Sequence, residues 1–273
     1  MRAPRLALLL LAFSSAALPA SAAMRTLVPH RAVYDLSLEK ATERSGITGI
    51  AGRMVYEFNG SPCEGYTVTF RFVTRINTGD TTRVTDQQTT TFEDADGKSF
   101  TFVTKSYVDQ SLEKEVRGTA TREGETVKVE LEKPDAKSLD LGGTMFPTQH
   151  LVDLLDKADV GNTFYEANLF DGSEDADRAM TTTVIIGKKA DGKTDDPEAP
   201  ALASLEKEKV WPVEIAYFDP KKDGGEEIPE YRISFKLHDN GITRDLIMDY
   251  NEFSMKGKLV NLKLFDVKPQ PCN

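Results

Sequence analysis

Two cysteines and three histidines carry most of the reactive chemistry in this 273-residue sequence. Cys63 lies in the early part of the chain and Cys272 is next to last. Such thiols act as nucleophiles, metal ligands or a covalent staple according to compartment. The first 22 residues point to a compartment. Arg2 and Arg5 form a short positive n-region, Leu6 to Phe13 an apolar stretch, and Ala20-Ser21-Ala22 a small-residue cleavage site. The stretch is too short to span a bilayer and reads as a cleavable secretory signal. No cysteine follows the cut, so a lipid anchor is not expected. Two distant cysteines in an exported chain most simply pair, and a Cys63–Cys272 disulfide is expected. Closing a loop of roughly 210 residues stabilises by about 5 kcal/mol in the chain-entropy model.

The histidines are His30, His150 and His238, with no H-E-x-x-H, H-x-x-H or Cys–His metal spacing. No metal and no cofactor are expected. His30 falls on the first strand of the exported chain and His238 beside a turn, both read as surface or hydrogen-bonded residues. His150 borders a leucine face, which lets it face a cavity. Ser-Leu-Glu-Lys occurs at Ser37–Lys40, Ser111–Lys114 and Ser204–Lys207. The Ser-Asp-Asn and Lys-Thr-Gly elements of penicillin-binding enzymes do not accompany it. Two copies lie in strand-like sequence, where serine and lysine point to opposite faces. G-x-S-x-G, P-loop and G-x-G-x-x-G patterns are missing. The acidic turns Asp171 to Asp177 and Asp191 to Asp196 lack the closing glutamate of a calcium loop. The chain is not expected to be an enzyme; a hydrolase gathering His150 with a serine and an acid is the catalytic alternative.

The elements that must position these residues are mostly strands. Tyr66, Val68, Phe70 and Phe72 alternate with Thr67, Thr69 and Arg71. Val127, Val129 and Leu131, and then Ile233, Phe235 and Leu237, repeat the pattern. Period-two alternation with one wet face is the mark of antiparallel sheet. Less regular runs near 31–38, 47–58, 81–92, 98–108, 112–121, 162–170, 180–187, 210–218, 242–250 and 253–266 bring the expectation to a dozen or more strands. Asp239-Asn240-Gly241 is a hairpin signal, and short connections favour meanders. Leu151, Leu154, Leu155 and Ala158 recur at helical spacing between Pro147 and Gly161. They predict one amphipathic helix of about three turns, its leucine face against the concave side of a curved sheet. A weaker helical turn is expected near Pro200 to Glu208, ahead of Trp211. Segments 188–200 and 220–229 read as surface loops.

Composition narrows the partners. Removing the signal takes away two arginines and no acid, so the net charge goes from −10 to −12 over 251 residues. Such acidity argues against nucleic acid and against an anionic membrane surface. No later apolar run approaches a spanning helix. The aromatic inventory, including Phe70, Phe72, Phe102, Phe235 and Trp211, suits a core or an apolar cup.

The ordered motifs together resemble a known family. Leu27-Val28-Pro29-His30-Arg31-Ala32-Val33-Tyr34-Asp35-Leu36 opens the exported chain, followed by Gly52-Arg53-Met54-Val55-Tyr56-Glu57-Phe58 and Cys63-Glu64-Gly65-Tyr66. Phe146-Pro147-Thr148-Gln149-His150 leads the helix, and Phe170-Asp171-Gly172-Ser173-Glu174 follows it. Pro229-Glu230-Tyr231-Arg232 and the run from Asn240 to Tyr250 complete the set. This looks like the cell envelope integrity protein EipB family of periplasmic proteins. The resemblance implies a mainly β chain: after a signal peptide (1–22), one β-spiral domain (23–273). Two curled antiparallel meanders would form a cup around one central amphipathic helix, a shape like the lipoprotein carriers LolA and LolB. It implies a disulfide carried over onto Cys63 and Cys272, and a non-enzymatic role in envelope integrity. The expected binding is to a protein, lipid or cell-wall partner, namely a periplasmic protein or a peptidoglycan-associated partner. The alternative is a periplasmic carrier of a lipid, hydrophobic ligand or lipoprotein. The candidate cavity residues are His150, Leu151, Leu154, Leu155 and Trp211.

Overall fold

The computed structural model describes residues 25–191, 195–202, 205, 207–220 and 228–266. The signal segment and Cys272 lie outside them.

Alternating sequence becomes fourteen strands in one antiparallel sheet. Eight form a first meander: β1 (His30–Ala41), β2 (Ile47–Ser61), β3 (Gly65–Thr78), β4 (Thr81–Glu93), β5 (Ser99–Val108), β6 (Ser111–Glu123), β7 (Thr126–Lys133) and β8 (Lys137–Leu141). A helix, α1 (Pro147–Asp159), follows. The second meander is β9 (Phe164–Leu169), β10 (Met180–Ile186), β11 (Trp211–Phe218), β12 (Tyr231–Leu237), β13 (Thr243–Asp249) and β14 (Phe253–Leu264). A short helix, α2 (Ala199–Leu202), interrupts it. The two meanders join where β14 pairs with β1, from Ala41↔Phe253 to His30↔Leu264. That leaves β8 and β9 as the outer strands. The chain leaving β8 stitches them at one point, where Met145 forms a parallel bridge with Leu169.

One face of the sheet carries the core, which falls into three clusters. The first holds Phe58, Tyr66, Tyr165, Val184, Val213 and Leu237 from both meanders, with Leu154, Leu155 and Ala158 of α1 between them. The second gathers Tyr34, Met54, Leu246, Met255 and Leu259 beneath Leu202 and Leu205. The third is an aromatic nest: Phe100 stacks on Phe102 and Phe146, and Phe170 meets both Phe100 and Phe102 edge-on.

Three expectations change. Segment 188–200 is not simply a surface loop: Ala190 bridges Val210 and Glu198 is 2% exposed. The Glu198 carboxylate accepts the backbone N–H groups of Leu259 (2.5 Å) and Asp245 (2.8 Å), which repays part of its desolvation. Arg244, fully buried, donates to Asp196 at 2.6 Å and ties the same strap down. Of segment 220–229, residues 221–227 lie outside the description. His30 and His238 follow the hydrogen-bonded alternative: both are buried, with Nδ1 of His30 2.7 Å from the Val28 carbonyl and Nδ1 of His238 3.2 Å from Glu208. The Asn240-Gly241 hairpin uses a three-residue loop: the N–H of Gly241 reaches the His238 carbonyl, and Gly241 alone takes a positive φ of 89°. That is the type I turn with a left-handed closing residue, not the two-residue turn. Strand β8, short and flanked by Lys133-Pro134, was not signalled by periodicity.

Gly172 shows how tightly the aromatic nest is built. Its φ is 69°, and an added Cβ would fall 2.5 Å from the Phe102 ring. Gly172→Ala is therefore expected to cost about 2–4 kcal/mol from left-handed strain plus overpacking. Chemical denaturation checks this, and a change below about 0.5 kcal/mol would contradict it.

Candidate functional site: the plugged cup

Helix α1 sits where the sequence placed it because four devices hold it. Phe146 occupies its N-cap without a side-chain bond, so the first backbone N–H groups need another acceptor. Glu93, at the end of β4 and 4% exposed, supplies it, accepting from Thr148 (2.7 Å) and Gln149 (2.9 Å). A carboxylate at a helix N-terminus also suits the helix dipole. Burial raises the Glu93 pKa, against the lowering effect of those two bonds. Arg122 braces the same end, donating to the Thr144 carbonyl (2.9 Å) and to Gln149 (3.0 Å) over the Phe146 ring. At the other end Gly161 at φ 81° donates to Ala158, and Asn162 donates to Lys157, the paired bonds of a Schellman stop. Arg25 then clamps the last turn to the N-terminal segment through Asp156 (2.8 Å) and Asp159.

The candidate cavity residues gather around one core cluster. Leu154 and Leu155 are fully buried against both meanders; Leu151 is half-buried against the same cluster. His150 is buried beside Tyr165, with its Nε2 3.5 Å from the Thr182 hydroxyl. That hydroxyl donates to the Ala167 carbonyl at 2.8 Å, so it is already engaged. Trp211 packs against the same cluster as Leu151, Leu154 and Leu155. It is half-buried at the sheet end, where its indole N–H donates to Asp239 (3.1 Å) and the Lys189 ammonium lies 5.0 Å above its ring. Cys63 lies in the turn between β2 and β3, and its expected partner is outside the described residues.

The rest of the inner face changes character across the sheet. Cross-strand partners run Leu259, Tyr34, Met54, Phe72, Gln87, Ser106, from apolar to polar. Hydroxyl pairs on this wall satisfy each other, Thr74 with Thr85 at 2.7 Å and Thr89 with Thr104 at 3.0 Å. On the opposite wall sequence reasoning missed a ladder of half-exposed rings. Tyr217 stacks on Tyr231 (4.2 Å), Tyr231 on Tyr250 (6.0 Å) and Tyr250 on Phe253 (5.1 Å). Desolvation pushes the pKa of all three tyrosines up. Cross-strand register carries the signal: Tyr217 and Tyr231 are direct partners. A hollow of about 380 Å³ opens beside α1, lined by charged and polar Glu93, Asp96, Gln149 and Arg25 and by apolar Tyr66 and Val152. Among the described residues no group of three His, Cys, Asp or Glu is placed to hold a metal ion, and no helix is long and apolar enough to cross a membrane.

A curled antiparallel sheet with a helix packed into its concave face defines a cup-shaped β protein. The profile of the EipB-like family matches residues 21–266, and the chain belongs to that family. It is 57% identical over 257 residues to the cell envelope integrity protein EipB of Brucella abortus (strain 2308), covering 93% of this chain and 89% of that protein. A solved structure from Brucella abortus, a beta-barrel-like protein of a domain of unknown function, superposes with a TM-score of 0.85 at 57% identity. The match covers 88% of this chain and 99% of that one.

Two outcomes follow from the plug. Glu93→Ala leaves the buried N–H of Thr148 and the part-buried N–H of Gln149 unpaired and should cost about 1–3 kcal/mol. Amide exchange at Thr148 and Gln149 should accelerate first; unchanged protection there would contradict the capping role. Burial lowers the His150 pKa below 6.5, with Asp153 and Lys157 pulling it up and down respectively. As pH falls below about 6.5 the unfolded chain takes up this proton first, so acid lowers stability. Between pH 7.5 and 5.5, His150→Gln should therefore lose less melting temperature than the parent. An equal loss would contradict it.

Proposed function

We propose that this chain is an exported, non-enzymatic periplasmic factor that maintains the cell envelope by binding a protein partner. The observation that carries this reading is the filled cup: α1 buries Leu154, Leu155 and Ala158 between the two meanders. A carrier needs its apolar interior free for cargo, whereas a binding factor needs a rigid scaffold with recognition on its surface. The name of the Brucella abortus relative, a cell envelope integrity protein, supports the biological role. The engaged Thr182 hydroxyl beside His150 supports a non-catalytic site. A strain lacking the gene should be sensitised to detergent and to cell-wall antibiotics, and the intact gene should restore it; an indifferent strain would sink the reading.

One observation favours the carrier as a second reading. The half-exposed ladder from Tyr217 to Phe253, with Phe70 and Phe72 on the same face of the sheet, offers apolar surface that α1 leaves uncovered. Purified protein that carries no lipid and gains no thermal stability from fatty acids would remove it.

The chain is also proposed to fold as one domain clasped by Cys63–Cys272. Leu264 pairs with His30 and His30 with Phe58, so β14 and β2 run the same way two strands apart. Cys63 lies five residues past Phe58 and Cys272 eight past Leu264. Strand rise and spacing put the gap at roughly 19 Å, within the about 26 Å that eight extended residues reach. Exported protein should contain no free thiol before reduction and two after it. Cys63→Ser should lower the melting temperature substantially, and an unchanged melting point would contradict the clasp.

A further inference from the structure

Strand β9 ends the sheet, and its outer side is mostly open. The N–H of Ile186 bonds the Thr163 carbonyl, so by ladder alternation Tyr165 and Ala167 also face β10. Phe164 and Glu166 therefore turn both backbone N–H and C=O outward. The Met145 bridge engages only the Asn168 carbonyl and the Phe170 N–H, farther along. Among the described residues nothing bonds the outward groups of Phe164 and Glu166. Exposed edges normally carry a lysine, a proline or a bulge against unwanted pairing. Phe-Tyr-Glu-Ala-Asn-Leu has none of these. Instead, its outer face presents Phe164, 58% exposed, directly across from Ile185, 50% exposed. The opposite edge strand, β8, turns Leu139 and Leu141 toward the core and leaves Lys137, Ser138 and Asp140 outside.

We propose that the open edge of β9 is a docking strand, which an extended segment of a partner protein joins as a fifteenth strand. The inference deepens the reading of the chain as a protein-binding factor and rests on it. Backbone groups supply the pairing, and the Phe164–Ile185 patch takes an apolar side chain of the incoming strand. Charge selects the partner. Glu166 lies on β9 and Glu214 opposite Ile185 on β11, both exposed and without an ion-pair partner among the described residues. An incoming segment that alternates apolar residues with lysine or arginine complements them. A second copy of this chain would set these carboxylates against their own kind, under a net charge of −12 once the signal is removed.

A photo-crosslinking phenylalanine analogue at Phe164 tests the surface in the intact exported chain in living cells, with the same analogue at Val103 on the central strand β5 as reference. The expected result is a protein adduct at 164 and not at 103, mapping to a segment with alternating apolar and basic residues. The adduct should fall at least tenfold in Glu166→Pro, which removes an outward N–H. It should fall likewise in the double charge reversal Glu166→Lys with Glu214→Lys, which keeps the test if the proline variant does not fold. The inference is overturned by no adduct above the Val103 level, by an adduct to a second copy or to lipid, or by one that survives both changes. The readings separate in the gene-deletion strain. Absence of an envelope phenotype there removes the functional reading. A clear phenotype fully rescued by the double reversal removes only the β9 surface.

Discussion

The antiparallel ladder between β1 and β14 ties the first described strand to the last, and the other features follow from it. Without it the chain is two separate meanders, each with a wet face and an unfilled apolar face. With it they form one sheet that must curl, because adjacent strands twist in a fixed sense. Curling creates a concave interior that has to be filled. The connection from β8 to β9 crosses between the two ends of that sheet, so α1 is carried over the interior by topology. Its leucine face then meets residues from both meanders at once.

Filling is shared among three segments that lie outside the strands. Helix α1 covers one end of the cup, the strap bearing Leu202 and Leu205 covers a second cluster, and the turns around Phe146 and Phe170 complete the third. Helix α1 and the strap are each fastened by a buried carboxylate that caps backbone groups, and the strap also by a buried ion pair. Glu93 caps α1, Glu198 caps the strap against Leu259 and Asp245, and Arg244 holds Asp196. A buried carboxylate that lost its partners would cost several kcal/mol. These fastenings therefore specify one packing of the interior more than they add net stability.

Strands and helix were legible in the sequence because half-burial imposes period two and α1 imposes its leucine spacing. Tyr66 to Phe72 and Leu151 to Ala158 show those periods without interruption. The turn at Asp239 to Gly241 was legible as a turn but not as its type, which depends on where the ladder closes. Segment 188–200 was misread because Asp, Lys, Gly and Pro dominate it locally. The burial of Glu198 depends on N–H groups of Asp245 and Leu259, far along the chain. The tyrosine ladder was hidden because its rings come from separate strands and meet only through register. The family resemblance added the spiral, which period-two counting alone leaves open.

Whether the cup stays filled is the question on which binding factor and carrier part. Native-state hydrogen exchange of the unmodified protein answers it by comparing α1 with the β1–β14 ladder. The account predicts that Leu154 and Leu155 amides exchange with the same opening free energy, and the same denaturant dependence, as Ala32 and Tyr34. Protection of the helix several kcal/mol below that of the ladder, with little denaturant dependence, would mean that α1 leaves the cup on its own and would contradict the account.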